Sequence, residues 1–181
     1  MAQLWVIAWG LLVNFNIHAA TPDFTVCKST YALCTTALCK PILGKKGFVT
    51  CNCHVKTGFS AGEKACNGVV KTKYKEEVQS RYYPVKAYLQ CANDRPWAYC
   101  LDSPCFIDSD DATKALCMCS LVKRQGKFKI SLDDYVVVKG QHNKPNCTEG
   151  IYSSATVEDI DKISQFLKSQ PDLHPFSIQI K

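Results

Sequence analysis

Several signatures of catalysis are missing from these 181 residues. There is no Gly-x-Ser-x-Gly elbow, no His-Glu-x-x-His pair and no phosphate-binding glycine loop, which removes the common hydrolase, zinc-peptidase and nucleotide-site readings. No Cys-x-x-Cys occurs, and with it goes the thioredoxin type of redox centre. Histidine is scarce, at positions 18, 54, 142 and 174. A triad would have to draw on His54, His142 or His174, and none has a distinctive neighbourhood. No basic block concentrates the excess of 22 Lys+Arg over 16 Asp+Glu. That mild surplus suits weak attraction to acidic glycans, lipid headgroups or nucleic acid. Without a basic block no nucleic-acid partner is expected, and a protein or an acidic glycan or surface ligand is the possible partner. After Val13 no hydrophobic run approaches the roughly 20 residues needed to span a bilayer, so no membrane span is expected in the mature chain.

Cysteine is absent from the first 26 residues, and that absence separates two kinds of sequence. Leu4 to Val13 is a nearly unbroken apolar run containing Trp5, Ile7, Trp9, Leu11 and Leu12. Polar Asn14 and Asn16 follow, then the small pair Ala19–Ala20 and the breaker Thr21–Pro22. This order reads as the hydrophobic and cleavage regions of a secretory signal over residues 1–20, cleaved after Ala19 or Ala20. No Lys or Arg precedes the run, so either the amino terminus supplies its only positive charge or the true start differs. The expected location is secreted or periplasmic.

All 12 cysteines lie beyond that segment: Cys27, Cys34, Cys39, Cys51, Cys53, Cys66, Cys91, Cys100, Cys105, Cys117, Cys119 and Cys147. An even number in an exported chain reads as a disulfide framework. Cys34-x4-Cys39-x11-Cys51-x-Cys53 recurs as Cys100-x4-Cys105-x11-Cys117-x-Cys119, a constant shift of 66 positions. Tyr31–Ala32 maps onto Trp97–Ala98 under the same shift. Two cysteine modules are therefore expected, at 21–88 and 89–150, followed by a tail at 151–181. Four recurring cysteines could instead hold zinc, with His54 or His142 near by. Structural zinc sites usually use two-residue knuckles, however, and an exported chain meets oxidants first. The cysteines are assigned to disulfides, with no metal, cofactor or catalytic residue.

Alternation refines this. Val49, Cys51, Cys53 and Val55 share one face of a strand, opposite Thr50, Asn52, His54 and Lys56. Two side chains on one face meet disulfide geometry poorly, so Cys51 and Cys53 must each find a partner elsewhere, as must Cys117 and Cys119. A nested pattern joins Cys39 to Cys51 and Cys34 to Cys53. The crossed pattern, Cys34–Cys51 with Cys39–Cys53, stays open, and Cys27–Cys66 and Cys91–Cys147 close the modules. In the second copy Leu116, Met118 and Val122 make the other face apolar too, which predicts a strand covered on both sides. Further strands are expected at Val69–Val70, Tyr82–Val85 and Phe128–Val138. Val157, Ile160, Ile163, Phe166 and Leu167 form the stripe of an amphipathic helix, with Thr156 and Asp159 placed as a capping box. The fold class expected is α+β and disulfide-rich: two tandem cysteine-stapled β modules plus a C-terminal amphipathic helix.

Arg95-Pro-Trp-Ala-Tyr-Cys-Leu-Asp-Ser-Pro-Cys105, with Cys117-Met-Cys119, resembles uncharacterised exported cysteine-rich tandem-module proteins of proteobacteria, over roughly Cys27 to Cys147. The resemblance implies a bacterial host and carries no catalytic residue. Asp108–Ser109–Asp110–Asp111, with Thr113, is the densest acidic patch and reads as a solvated turn rather than a cation site. Its counterpart Gly44–Lys45–Lys46–Gly47 is basic, so the two modules, or two molecules, could attract one another through these turns. Tyr82, Tyr83 and Tyr88 could serve recognition or fill the core. The function expected is an exported, disulfide-stabilised binding or interaction protein of unknown ligand, with a secreted enzyme or enzyme inhibitor as the alternative. If every cysteine is bridged, alkylating the native protein adds no mass and reduction exposes 12 thiols. Stoichiometric zinc, or free thiols before reduction, would turn the assignment to a metal protein.

Overall fold

A computed structural model of the chain describes residues 24–34, 36–82, 87–92, 95–123, 134–138, 150–168 and 179–180. The proposed signal, Tyr83, His142, Cys147 and His174 lie outside them. The strands are β1 (Thr25–Leu33), β2 (Leu38–Pro41), β3 (Phe48–Gly62), β4 (Val70–Lys71), β5 (Glu76–Gln79), β6 (Ala87–Ala92), β7 (Trp97–Tyr99), β8 (Pro104–Ile107), β9 (Lys114–Val122), β10 (Asp134–Val138), β11 (Ile151–Thr156) and β12 (Gln179–Ile180). Among the described residues there is one helix, α1, from Val157 to Lys168.

The α+β expectation is therefore wrong. Strands make up 57% of the structure and helix only 8%, and a closed five-stranded barrel dominates it. The ring runs β2–β3–β9–β7–β11 and back to β2, with β7 and β11 parallel.

The two cysteine sets are not arranged in tandem either. β3 and β9 pair antiparallel with Cys51 directly opposite Cys117, two positions that are 66 apart. Thr50 opposes Met118, and Asn52 opposes Leu116. Positions equally far on either side of Cys51 therefore face each other's counterparts, as across a two-fold axis through the Cys51–Cys117 pair. The strands that follow each set then cross over. β5, which follows the first set, pairs with β8 of the second, placing Val78 opposite Cys105. β11, which follows the second set, pairs with β2 of the first, placing Ile151 opposite Cys39. Matching hydrogen bonds anchor both crossings. Ser80 N–H donates to Ser103 O at 3.0 Å and Ser153 N–H to Ala37 O at 2.9 Å. A bridge from Ala32 to Ser80 closes a second ring, β8–β9–β3–β1–β5, through the same β3–β9 wall. Neither set can close its sheet without a strand from the other, because an open edge leaves backbone groups unpaired.

The central core contains little but sulfur and small side chains. Its buried members are Cys34, Cys39, Cys51, Cys53, Cys100, Cys105, Cys117 and Cys119, with Ala32, Ala37, Ala98, Ala115, Val49 and Val78. A second cluster seats α1: Ile160 and Ile163 pack with Phe24, Ala61, Tyr82, Leu101 and Ala155. A third holds Trp97 against Cys91, with Tyr99 and Val122 alongside.

The expectation that β9 is covered on both faces also fails. Leu116 is 48% exposed and Phe106, its neighbour on β8, is 37% exposed. Period-two apolarity on both faces normally marks a fully buried strand, and here it marks an apolar outer surface.

Beneath that sheet, Arg81 and Asp102 form a buried ion pair at 3.3 Å, with side chains 1% and 5% exposed. Arg81 also donates to Ser60 Oγ at 2.8 Å, Lys64 O at 2.7 Å and Thr25 O at 2.6 Å. Asp102 Oδ2 accepts from Glu63 N–H at 2.7 Å and Lys64 N–H at 2.9 Å. Burial pushes the guanidinium below its ordinary value, and the Asp102 charge pushes back. Gly62 sits against this pair: an added Cβ would lie 2.6 Å from Arg81 Nη1 and closer still to Asp102 Oδ1. Both groups are held by several bonds and cannot swing aside. Gly62→Ala is expected to lower stability by about 1–3 kcal/mol, as overpacking does. Urea unfolding checks it, and an unchanged midpoint would show that the pair can move.

Candidate functional site

Each sequence-assigned cysteine among the described residues is in a disulfide. Cys34 pairs with Cys53 and Cys39 with Cys51, at Cα separations of 4.5 and 4.0 Å. Cys100 pairs with Cys119 and Cys105 with Cys117, at 4.6 and 4.0 Å. Cys27 is joined to Cys66. Cys91 is bonded, and its expected partner Cys147 lies outside the described residues. The nested pattern is thus the one present, and the crossed alternative is not. The disulfides of the two sets touch, with Cys100 Sγ 3.6 Å from Cys51 Sγ. Two sulfur triplets, Cys34 with Cys100 and Cys119 and Cys34 with Cys53 and Cys117, are compact enough to surround a metal ion. Zinc binds thiolates, so these sulfurs become ligands only after reduction.

The weighed polar residues fall mostly into structural roles. His54 is exposed on β3, on the face away from the sulfurs. Tyr82 is buried, its hydroxyl 3.5 Å from Ser154 O, and belongs to the core. Tyr88 lies on β6. The acidic patch is a turn that satisfies itself. Asp108 accepts from Asp110 N–H at 2.9 Å, and Asp111 pairs with Lys114 at 2.7 Å. Lys114 and Thr113 hold the Asp111 carboxyl down at about 2. The basic turn stands at the far end of the β3–β9 ladder, near Phe48–Ser120, while the acidic turn adjoins His54–Lys114. At about 3.3 Å per residue the ladder separates them by roughly 20 Å. The expected attraction between these turns within one molecule is excluded by that distance.

Two features escaped the sequence. One is the Arg81–Asp102 pair, whose only local hint is Asp102 inside the motif Trp97-Ala-Tyr-Cys-Leu-Asp102. Asp102 has φ 51° and Thr36, 66 positions earlier, has φ 60°, so both sets turn through the same left-handed position. The other is the outer surface. Leu38 is 46% exposed, Phe48 41%, Leu116 48% and Leu43 fully exposed. Lys45 Nζ lies 3.8 Å from Met118 Sδ, and Lys75 Nζ lies 4.3 Å from the Phe106 ring centroid. Lysine ammonium groups thus rest on this apolar surface, the Lys75–Phe106 contact being a cation–π one.

No family model, curated protein or solved structure matches the chain. The surface must therefore be read from its own chemistry. Among the described residues most buried polar groups are bonded into the fold, with Ser29 Oγ, Gln79 Oε1 and Asp159 Oδ2 the exceptions, whereas Leu38, Phe48, Phe106 and Leu116 of β2, β3, β8 and β9 are exposed.

At the start of α1, Asp159 N–H donates to Thr156 Oγ1 at 3.0 Å, while Asp159 Oδ2 is buried and makes no hydrogen bond. Burial pushes the Asp159 carboxyl above its ordinary range, against the pull of its bonds to Thr156 and Tyr99. A raised folded value contributes stability that is complete below the unfolded value and is lost as pH rises through the folded one. Asp159→Asn is expected to raise Tm at neutral pH, with the two proteins converging as pH falls below about 4. A lower Tm at neutral pH would show that the ionised cap outweighs its burial cost.

Proposed function

We propose that this chain is an exported binding protein, duplicated from one cysteine module and locked by disulfides so that its outer face stays rigid. The observation that carries this reading is the inversion of ordinary side-chain use. Sulfur, alanine and valine fill the centre, while Leu38, Leu43, Phe48, Phe106 and Leu116 are exposed. Exposed apolar side chains that adjoin, as Phe106 and Leu116 do across β8 and β9, mark interaction sites more often than chance. The apolar leader 1–20, the bridged cysteines and the absence of any helix, among the described residues, long and apolar enough to cross a membrane all suit an exported product. The 66-position shift, which carries disulfides, strand starts and left-handed residues alike, supports duplication. The likeness to exported cysteine-rich proteins of proteobacteria fits the same picture.

The inhibitor alternative is weaker. The loop between Cys39 and Cys51 is bridged at its base and protrudes. Yet Lys45 N–H closes a turn on Ile42 O at 3.1 Å, with Gly44 at φ 78°. A loop that adds a strand to a protease needs extended backbone, not a tight turn. An enzyme would need several convergent free polar groups; Arg81, Asp102, Ser60 and Ser80 are bonded into the fold, and the unpartnered Asp159 Oδ2 is buried.

Two measurements on protein exported by its producer test the proposal. Amino-terminal sequencing should begin at Ala20 or Thr21; an intact Met1 defeats export with processing. A photo-crosslinker at Leu43 or Phe106 should capture a discrete partner that one at Ser109 misses. Equal labelling from all three positions would defeat binding through this face.

A further inference from the structure

The two hairpins that lie 66 positions apart have the same frame and opposite chemistry. β2 and β3 are joined by Cys39–Cys51, and β8 and β9 by Cys105–Cys117. Both disulfides have Cα separations of 4.0 Å and join residues directly opposite in the ladder. The β8–β9 tip is built from Asp108, Ser109, Asp110 and Asp111, whose carboxylates tie their own turn together. That hairpin shows what the frame itself needs, and an apolar tip is not part of it.

The β2–β3 tip is the departure. From Leu38 to Phe48 it reads Leu-Cys-Lys-Pro-Ile-Leu-Gly-Lys-Lys-Gly-Phe, with three lysines and no acid. Gly44 and Gly47, at φ 78° and 83°, let the chain turn tightly. Leu43 at its apex is 101% exposed and packs on nothing. Lys40, Lys45 and Lys46 are exposed on the same hairpin, Lys45 with its ammonium 3.8 Å from Met118 Sδ, and Phe48 widens the apolar area below. A disulfide at the base and a turn at the apex leave little conformational entropy to lose on docking. An apolar apex inside a collar of lysines complements a surface that is negative outside and apolar a few ångströms beneath. The acidic tip at the other end of the ladder orients the molecule, because a negative surface attracts one end and repels the other.

We propose that the β2–β3 tip docks peripherally on an anionic lipid bilayer. Leu43 enters the boundary between headgroups and acyl chains, and Lys40, Lys45 and Lys46 rest on lipid phosphates. This rests on the reading of the chain as an exported binding protein and names the surface it meets.

The exported, oxidised protein is sedimented with vesicles of phosphatidylcholine plus phosphatidylglycerol, and with vesicles of phosphatidylcholine alone. Binding is expected to the anionic vesicles only, and to fall with added salt. Leu43→Ser should weaken it about tenfold and the Lys45→Gln/Lys46→Gln pair roughly thirtyfold. Asp110→Asn at the other tip should not weaken it. Each variant is confirmed oxidised by thiol count, since these positions are exposed and outside the core. Equal binding to both vesicle types, or no loss with Leu43→Ser, overturns the proposal. Absence of vesicle binding overturns it as well. In that case retention on a sulfated polysaccharide, lost with the lysines but not with Leu43, would identify an acidic glycan instead. A discrete protein cross-linked at Leu43 without vesicle binding would leave the binding-protein reading standing and sink the membrane one.

Discussion

The pairing of β3 with β9 is the constraint on which the rest of the structure depends. Cys51 and Cys117 sit opposite one another at its centre, and each is bonded outward to a further strand, Cys39 on β2 and Cys105 on β8. Four consecutive strands, β2–β3–β9–β8, are therefore joined through one line of sulfurs. The bonds fix the register of β2 on β3 and of β8 on β9, and at the unbonded β3–β9 joint a one-residue shift would turn the sulfurs to solvent by exchanging the two faces of a strand. Strands this short would normally need large side chains on the inner face to hold together. Here the disulfides fill that space and supply the cross-links, which restrict the unfolded chain as well as the folded one.

The crossing of β5 and β11 follows from the same pairing. Once β3 and β9 lie side by side, the free edges of β2 and β8 stand at either side of the shared sheet, and the chain leaving each set reaches the edge belonging to the other. Both edges are covered, and both rings close through the common wall. This resembles a domain-swapped dimer carried in one chain. It makes the two sets inseparable in stability: a half expressed alone would expose the edge that the other half covers. The Arg81–Asp102 pair adds to that dependence, because Arg81 follows β5 while Asp102 belongs to the second set. Asp102 in turn holds the backbone of Glu63 and Lys64, next to the first.

Part of this was legible in the sequence. Alternation from Val49 to Val55 is enough to forbid a Cys51–Cys53 bond and to turn both sulfurs inward, as they are. The spacing of Val157, Ile160 and Ile163 after Thr156 locates a helix with its cap, and Ile160 and Ile163 are the residues that pack. Hidden from it was everything that depends on which strand lies next to which. Glu76–Gln79 and Ile151–Thr156 are short, carry no cysteine, and give no sign of the edge they will cover. The tandem, α+β reading failed for that reason: it assumed that a recurring motif folds on itself. Leu116 and Met118 misled in a different way. Apolar residues on both faces of a strand argue for burial unless something outside the fold uses the second face. Nothing in the sequence singles out Arg81, and only the tertiary structure brings Asp102, Ser60 and two backbone carbonyls around it.

The divergence of the two hairpins bears on how such a molecule can change function without changing fold. Positions fixed by the frame recur at a distance of 66: the paired cysteines, the small Ala32 and Ala98 inside, the left-handed Thr36 and Asp102. Positions that touch neither sulfur nor neighbouring strand do not recur, and they include the tips. Gly44–Lys45–Lys46–Gly47 and Asp110–Asp111–Ala112–Thr113 occupy the same place on equivalent hairpins and share one structural duty. Gly47 O accepts from Leu121 N–H at 2.9 Å, and Thr113 O accepts from Val55 N–H at 2.8 Å. That duty is performed by backbone alone, so side chains at the tips are free of it. A scaffold whose core is fixed by covalent bonds tolerates such change better than one held by packing, because an exposed Leu43 or a cluster of aspartates alters none of the bonds that set the register. The surface of this protein is where selection for function acts with least interference from selection for stability.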